Sequence, residues 1–147
     1  MRRLSLLVVT LAFALTSVYA ADVKLDGVKC IVAAKNAAKA DKTRDYKGGK
    51  VYFCCDNCPK EFDKDKAKYA TKANAQLVAT AQAKQAKCPI SEMAVDATKE
   101  LTVAGAKVQF CCDNCKGKVE KAKDDEKLEL VFSDKAFEKA GFKVEKK

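Results

Sequence analysis

The sequence contains no histidine and no tryptophan, and only two of its 147 residues are proline. Without histidine the chain cannot form a catalytic triad with an imidazole base, nor a zinc site of mixed cysteine and histidine ligands. Aromatic residues make up only 7% of the chain, so a small unit of it can bury little apolar surface. No glycine-rich phosphate-binding loop is present either. These absences predict that the protein is not an enzyme, and that its units need disulfides, a metal or each other for stability.

Two copies of one motif contain most of the eight cysteines. The run Cys54–Cys58, which has the sequence CCDNC, recurs 57 positions later as Cys111–Cys115. Each copy follows an alternating run that ends in phenylalanine. Each is also preceded by one lone cysteine, Cys30 in the first case and Cys88 in the second. The cysteines therefore divide four and four between the two units of an internal repeat.

Residues 1–20 have the composition of an export signal. Arg2 and Arg3 give a positive start, residues 4–15 are apolar, and residues 18–20 supply the small residues of a cleavage site. The apolar run of about 12 residues is shorter than the roughly 20 that a membrane-spanning helix needs. We therefore expect a cleaved signal peptide and a periplasmic or secreted mature chain, with no membrane attachment after cleavage.

The formal net charge is +9, or +7 once Arg2 and Arg3 are removed. The basic residues are nearly all lysine, spread along the chain and mixed with acidic residues, which is typical of a solvated surface. A nucleic-acid interface would need arginine and aromatic residues interleaved in one patch. The sequence therefore predicts no nucleic-acid partner, and it identifies no protein partner.

The residues around each motif predict the same small α+β unit twice. Residues 45–53, with a Gly-Gly turn, and residues 101–110 have the alternation of β-hairpins. The helices that follow are predicted at 59–69 and 116–123, and each has an aspartate placed as its N-cap, Asp56 or Asp113. The predicted fold is therefore a pseudo-repeat of two units, each a hairpin followed by a helix.

Further elements are predicted after each unit. Residues 76–80 and 129–133 are predicted strands, although residues 81–87 are alanine-rich and could prolong the first helix instead. Residues 133–140, closed by Gly141, predict a short terminal helix. No linker rich in Pro, Gly or Ser separates the units, so we expect them to pack together. The predicted boundaries are 1–20 for the signal peptide, 21–87 for unit one, and 88–147 for unit two with its C-terminal strand and short helix.

The position of the cysteines between hairpin and helix predicts a sulfur-only metal site in each unit. Cys55-x2-Cys58 and Cys112-x2-Cys115 have the spacing that brings two thiolates onto one metal. Backbone N–H groups at the helix start are expected to lower the pKa of Cys58 and Cys115. Such a pocket suits zinc or copper(I) and not magnesium or calcium.

The lone cysteine of each unit is expected to complete the site. A hairpin returns the chain to its start, so the lone cysteine and the cluster that follows the hairpin should meet at one end. Adjacent cysteines are awkward ligands for one metal, so each site could use three sulfurs and leave one free. The predicted ligands are Cys30, Cys54, Cys55 and Cys58 in unit one, and Cys88, Cys111, Cys112 and Cys115 in unit two.

The arrangement resembles a family of small metal-handling domains. A lone cysteine, some two dozen residues, an aromatic residue and then Cys-x3-Cys before a helix is similar to the pattern of TRASH domains and the related YHS domains. The likeness rests on residues 88–91, 95–96 and 110–115 in unit two, and on residues 52–62 in unit one. The resemblance implies a treble-clef-like fold and the binding of heavy metals.

The chain departs from that family at two places. Some members have a second cysteine three residues after the first, where this chain has Ala33 and Ser91. The family pattern in turn lacks counterparts of Cys55 and Cys112. Compared with those members, one cysteine of each unit has moved from the turn of the lone cysteine to the cluster, so each unit still has four cysteines.

Two other uses of the cysteines stay open at this point. An exported chain with an even number of cysteines is typical of a disulfide framework, which would make the protein a stapled structural or interaction module of the cell envelope. The pairs Cys55/Cys58 and Cys112/Cys115 could alternatively form a redox-active dithiol, which would make it a thiol–disulfide redox protein.

Overall fold

A computed structural model describes residues 23–145 of the chain, so the expected signal peptide at 1–20 lies outside the described residues. Eleven elements follow one another along this part of the chain. In order they are β1 Lys39–Tyr46, β2 Gly49–Phe53, α1 Asn57–Lys64, α2 Lys66–Ala79, β3 Ala83–Lys84, β4 Asp96–Val103, β5 Ala106–Phe110, α3 Asp113–Glu120, α4 Asp124–Phe132, α5 Asp134–Lys139 and β6 Lys143–Val144.

The two predicted hairpins are present, and they turn in the same way. Lys47 and Gly48 both have positive φ, 49° and 88°, and Ala104 and Gly105 have 50° and 81°. Positive φ at both central residues is typical of the two-residue turn that matches the twist of antiparallel strands. The turn therefore lies one residue before the predicted Gly-Gly pair, and Gly49 begins β2.

The strand registers confirm the pseudo-repeat. In both hairpins the pairing is interrupted by a bulge in the first strand, at equivalent places. Each hairpin is followed by a helix that begins within the cysteine motif. The predicted α+β fold of two similar units is thus confirmed. The equivalent pairs on the two sides of the bulge are Lys39↔Phe53 and Thr43↔Tyr52 in unit one, and Asp96↔Phe110 and Glu100↔Gln109 in unit two.

The strands predicted at 76–80 and 129–133 are wrong. Residues 76–79 are the last turn of α2, and residues 129–132 are the end of α4. The apolar residues of each stretch continue a helical face: Leu77 follows the buried Ala70 and Ala73, while Val131 and Phe132 follow Leu128. The alternative that residues 81–87 prolong the first helix is also wrong, because residues 83–84 pair with β6.

The short terminal helix is confirmed, but the two aspartate caps are not. The Ser133 hydroxyl accepts a hydrogen bond from Ala136 N–H at the start of α5, as a cap does. Asp56 accepts none from its helix, and Asp113 lies within α3. Their carboxylates bind lysines of the preceding strands instead, each at 2.7 Å: Lys42 for Asp56 and Lys99 for Asp113.

One hydrophobic core joins the two units. Helix α2 packs against β2 of the first unit, β5 of the second, and the helices α4 and α5. In the first unit the ring of Phe62 lies 5.6 Å from the rings of both Tyr46 and Phe53. The fully buried Asn74 of α2 donates to Phe132 O and to Asp134 on the other side. The units therefore pack together, as expected. None of the described helices is long and apolar enough to cross a membrane.

Candidate metal centres

Three of the four cysteines of each unit come together. We call Cys30, Cys54 and Cys58 the first sulfur set, and Cys88, Cys111 and Cys115 the second sulfur set. Within each set every Sγ atom lies within 4.8 Å of the other two. The structure therefore brings each lone cysteine to its own cluster, as predicted. The fourth predicted member of each unit, Cys55 or Cys112, lies outside the set.

A tight turn presents each lone cysteine. Cys30 N–H donates to Asn36 O at 2.9 Å, and Ala33 N–H donates to Cys30 Sγ at 3.4 Å. In unit two Cys88 N–H donates to Met93 O, also at 2.9 Å. The strand segments that enter and leave the two turns are bridged in the same way, Lys29 to Ala37 and Lys87 to Ala94. Both cysteines are buried, so their sulfurs face the interior.

The spacing of the clustered sulfurs fits shared coordination of a metal. Cys58 Sγ lies 3.6 Å from Cys54 Sγ and 3.4 Å from Cys55 Sγ. Cys111 Sγ lies 3.7 Å from Cys115 Sγ and 3.6 Å from Cys112 Sγ. Sulfurs bound to one tetrahedral zinc lie about 2.3 Å from the metal and hence about 3.8 Å apart, whereas a disulfide bond measures about 2.05 Å. All eight cysteines are free thiols.

A buried glutamine holds the lone-cysteine turn of unit one against the hairpin. The Gln76 amide accepts from Tyr52 N–H at 2.7 Å and donates to Tyr52 O at 3.0 Å. The same amide nitrogen donates to Lys29 O at 2.8 Å. Lys29 precedes Cys30, and Tyr52 lies two residues before Cys54. Gln76 therefore fixes two members of the first sulfur set relative to each other.

Gln85 makes the same three contacts in unit two. Its amide nitrogen donates to Lys87 O and to Gln109 O, both at 2.7 Å, and its amide oxygen accepts from Gln109 N–H at 2.9 Å. Lys87 precedes Cys88, and Gln109 lies two residues before Cys111. Neither residue is predicted from the sequence, because Gln76 follows its cysteine cluster whereas Gln85 precedes its lone cysteine and lies within the range assigned to unit one. For Gln76, the available signal was a polar residue on the apolar face of a helix.

Burial and hydrogen bonding act in opposite directions on the thiols of unit one. Burial raises the pKa of Cys58 and of Cys54. The exposed Cys55 accepts hydrogen bonds from Cys58 N–H, from the Cys58 thiol and from Asn57 N–H, which lower its pKa to about 7. The predicted lowering of the pKa of Cys58 is therefore wrong. The helix start favours the thiolate of Cys55 instead, because Cys58 is buried and donates to its neighbours.

Unit two repeats this distribution. Burial raises the pKa of Cys115 to about 12, so its predicted lowering is also wrong. Hydrogen bonds, the first from Cys115 N–H, lower the pKa of Cys112. Burial alone would raise the pKa of Cys88, but hydrogen bonds from the Ser91 hydroxyl and from backbone N–H groups lower it to about 7.

The two sites differ at the third residue after the lone cysteine. Ser91 Oγ lies 3.1 Å from Cys111 Sγ, within hydrogen-bonding distance. The equivalent residue of unit one is Ala33, which contributes only its backbone N–H. Asn36 Nδ2 approaches Cys54 Sγ there, at 3.8 Å. The second site therefore has one additional hydroxyl beside its sulfurs.

The donor atoms define what these sites can do. Thiolate sulfurs prefer soft or borderline ions such as copper(I) and zinc, whereas magnesium and calcium require oxygen ligands. Two sulfur sets at this spacing are compatible with binding such an ion in each unit. None of the family models, curated proteins or solved structures compared with the chain matches it.

Proposed function

We propose that the protein is an exported binding protein for soft metal ions, zinc or copper(I), with one thiolate site in each unit. The observation that carries this proposal is the pair of sulfur sets, each gathered from a turn and a helix start within 4.8 Å. The residues fit the ion in kind as well as in spacing, because every donor is sulfur and two sulfurs lie 3.6 Å apart in the first set and 3.7 Å apart in the second. The resemblance to metal-handling TRASH and YHS domains has the same implication.

The arrangement of each set supports metal binding over a disulfide staple. A staple needs one pair of sulfurs, yet each unit brings three together and places a fourth beside them. The alternative function, a stapled module of the cell envelope, requires only that the lone cysteine be paired with one member of the cluster. The redox alternative would use Cys55/Cys58 and Cys112/Cys115, and it gives no role to the buried Cys30 and Cys88.

We also propose that the protein is not an enzyme and that it acts after export. No imidazole is available as a general base, and the site offers thiolates alone. Metal binding by thiolates requires that the protons of Cys58 and Cys115 be displaced, so affinity should fall as the pH falls. Acquiring an ion outside the cytoplasm would require the thiols to be kept reduced until the ion binds.

Mass spectrometry of the reduced mature chain tests this function. Under native conditions the chain titrated with Zn(II) or Cu(I) is expected to retain two ions, one for each sulfur set. The variants Cys54→Ser and Cys111→Ser should each retain one ion, and the double variant should retain none. Four disulfides and no bound ion in the exported protein would instead establish the staple. Reduction of insulin, with a bridge potential well above roughly −300 mV, would establish the redox protein.

A further inference from the structure

Each unit has a fourth cysteine beside its sulfur set but outside it. Cys55 is exposed, whereas Cys30 is 1% exposed and Cys58 is 6% exposed. Cys112 is half-buried, as are Cys111 and Cys115, whereas Cys88 is fully buried. In both units the fourth sulfur is therefore more accessible than the lone cysteine.

The fourth sulfur lies next to one member of the set. Cys55 Sγ is 3.4 Å from Cys58 Sγ, and Cys112 Sγ is 3.6 Å from Cys111 Sγ. An ion held by the set would be bonded to a sulfur that has the exposed sulfur as its neighbour. The lone cysteine is buried, so its side of the site is closed to solvent. A thiol from another molecule would therefore approach the ion from the cluster, where Cys55 or Cys112 lies.

We propose that Cys55 and Cys112 are exchange thiols, through which the sulfur sets pass their ion to and from a thiol-bearing partner. This inference rests on the proposed function, since it assigns the route by which the same two sites are filled and emptied. The partner is defined by its chemistry: a protein or small molecule that presents an accessible thiolate. Soft ions move between such partners by replacing one thiolate with another.

The exchange proceeds without oxidation or reduction. Cys55 Sγ gives up its proton as it bonds the ion, and Cys30 Sγ takes up a proton as it releases the ion. Cys58 Sγ stays bonded during this step, because it belongs to the set and lies 3.4 Å from Cys55 Sγ. Thiolates of the partner then replace the remaining protein sulfurs one at a time, and each protein sulfur takes up a proton as it leaves. In unit two Cys112 takes the part of Cys55, and Cys111 that of Cys58.

An exchange thiol changes rates and leaves the equilibrium alone. A route that lowers the barrier to leaving lowers the barrier to entry by the same amount, so the affinity of the three-sulfur set is unchanged. An ordinary fourth ligand behaves differently, because its removal weakens the equilibrium affinity directly. The two roles of Cys55 and Cys112 are therefore separable by measuring both quantities on one variant.

The experiment uses the mature chain loaded with Cu(I) and the double variant Cys55→Ser, Cys112→Ser. Its matched control is the double variant Cys54→Ser, Cys111→Ser, which removes one member of each set. Affinity is measured by competition with bathocuproine disulfonate, and the transfer rate by stopped flow with glutathione as the thiol acceptor. Serine keeps the size of the side chain, and circular dichroism checks that each variant is folded.

The exchange variant is expected to keep both ions with an affinity within about threefold of the parent, while transfer to glutathione slows by about tenfold or more. The control should lose affinity by more than about tenfold. An exchange variant that loses as much affinity as the control would show that Cys55 and Cys112 are ordinary ligands. Transfer at the parent rate would also overturn the proposal. Should the parent chain bind neither ion, the proposed function would fail, and the exchange role with it.

Discussion

Replacing Gln76 with alanine is expected to destabilise the protein and to weaken the first metal site while sparing the second. Gln76 is 4% exposed, and its amide makes three hydrogen bonds of 2.7–3.0 Å to Tyr52 and Lys29. Tyr52 is itself only 5% exposed, so water cannot readily replace the lost partners. At about 1 kcal/mol for each hydrogen bond, the free energy of unfolding should fall by about 3 kcal/mol.

Gln82 supplies a matched control, because its amide binds another residue of β2, the strand that contains Tyr52. Its amide accepts from Lys50 N–H and donates to Lys50 O, each at 2.7 Å, in the pattern that Gln76 uses at Tyr52, but these two hydrogen bonds are exposed. The half-buried Gln82 also donates to the Thr80 hydroxyl. Because water can take its place, Gln82→Ala should cost about 1 kcal/mol or less. Alanine is also a better helix former than glutamine, so the loss at Gln76 cannot come from the intrinsic stability of α2. The difference between the variants therefore isolates the buried contacts.

Urea denaturation of the reduced, metal-free chain, followed by circular dichroism, measures both free energies. A zinc titration against a chromophoric chelator then measures the zinc affinity of each of the two sites. Gln76→Ala should weaken one site by about tenfold or more, because the turn of Cys30 is no longer held to the hairpin. Gln85→Ala should weaken the other site alone. If Gln76→Ala destabilises the chain no more than Gln82→Ala does, the role assigned to the buried amide is wrong.

Glycine substitutions are expected to act in opposite directions at two positions. Gly49→Ala should lower the free energy of unfolding by about 1–3 kcal/mol, because a Cβ there would lie 2.8 Å from Leu77 Cδ2. Gly117→Ala should raise it by about 0.5–1 kcal/mol, because a Cβ at this helical position meets nothing within 4 Å. Urea denaturation measures both changes. Lys42 lowers the pKa of Asp56, so the stabilisation lost in Asp56→Asn should be present above about pH 4 and be lost as the pH falls through the lowered folded-state pKa. A difference between the two proteins that does not shrink as the pH falls below about 4 would contradict this. Ser91→Ala removes a hydrogen bond to thiolate and should move the sulfur-to-Co(II) charge-transfer band of one site to lower energy; an unchanged spectrum would show that the hydroxyl does not act on the site.

The parts of the fold that sequence predicts correctly are those fixed by local chemistry. The hairpins follow from alternating side chains on both sides of a turn, and residues with positive φ occupy that turn in each unit. The last helix follows from Ser133 as its cap and from Gly141, whose φ of 60° ends it. These signals lie within a few residues of the structure that they determine.

The errors lie where contacts distant in sequence decide the outcome. The segments at 76–80 and 129–133 have the composition of strands, but they complete helices whose apolar faces pack on each other across the two units. Asp56 lies at the cap position of α1 and Asp113 lies inside α3, and a lysine on a strand of the same hairpin binds each carboxylate instead. Neither the helix–helix contact nor the lysine can be inferred from the local sequence.

The sulfur sets could be predicted only in part, because their membership depends both on the local repeat and on the directions of the helices. The repeat predicts which cysteines belong together, because a hairpin must return the chain to its start. It does not predict that Cys55 and Cys112 stay outside the sets, since that depends on the direction in which each helix leaves the hairpin. The altered pKa directions follow from this placement, because Cys55 and Cys112 receive the N–H groups that were assigned to Cys58 and Cys115.

The two glutamines bear on why the sites have this shape. Gln76 and Gln85 occupy different places relative to their motifs, yet each binds the residue before the lone cysteine and the strand residue two before the cluster. Repetition of the sequence therefore does not account for the likeness of the two sites at this point. A disulfide needs only two sulfurs within bonding reach, and the covalent bond itself would then hold the turn to the hairpin. A metal site needs its ligands held in place before the ion arrives, and a buried amide that joins the two ligand-bearing segments provides this. The presence of such an amide in both units therefore favours sites whose ligands are positioned for reversible binding of an ion.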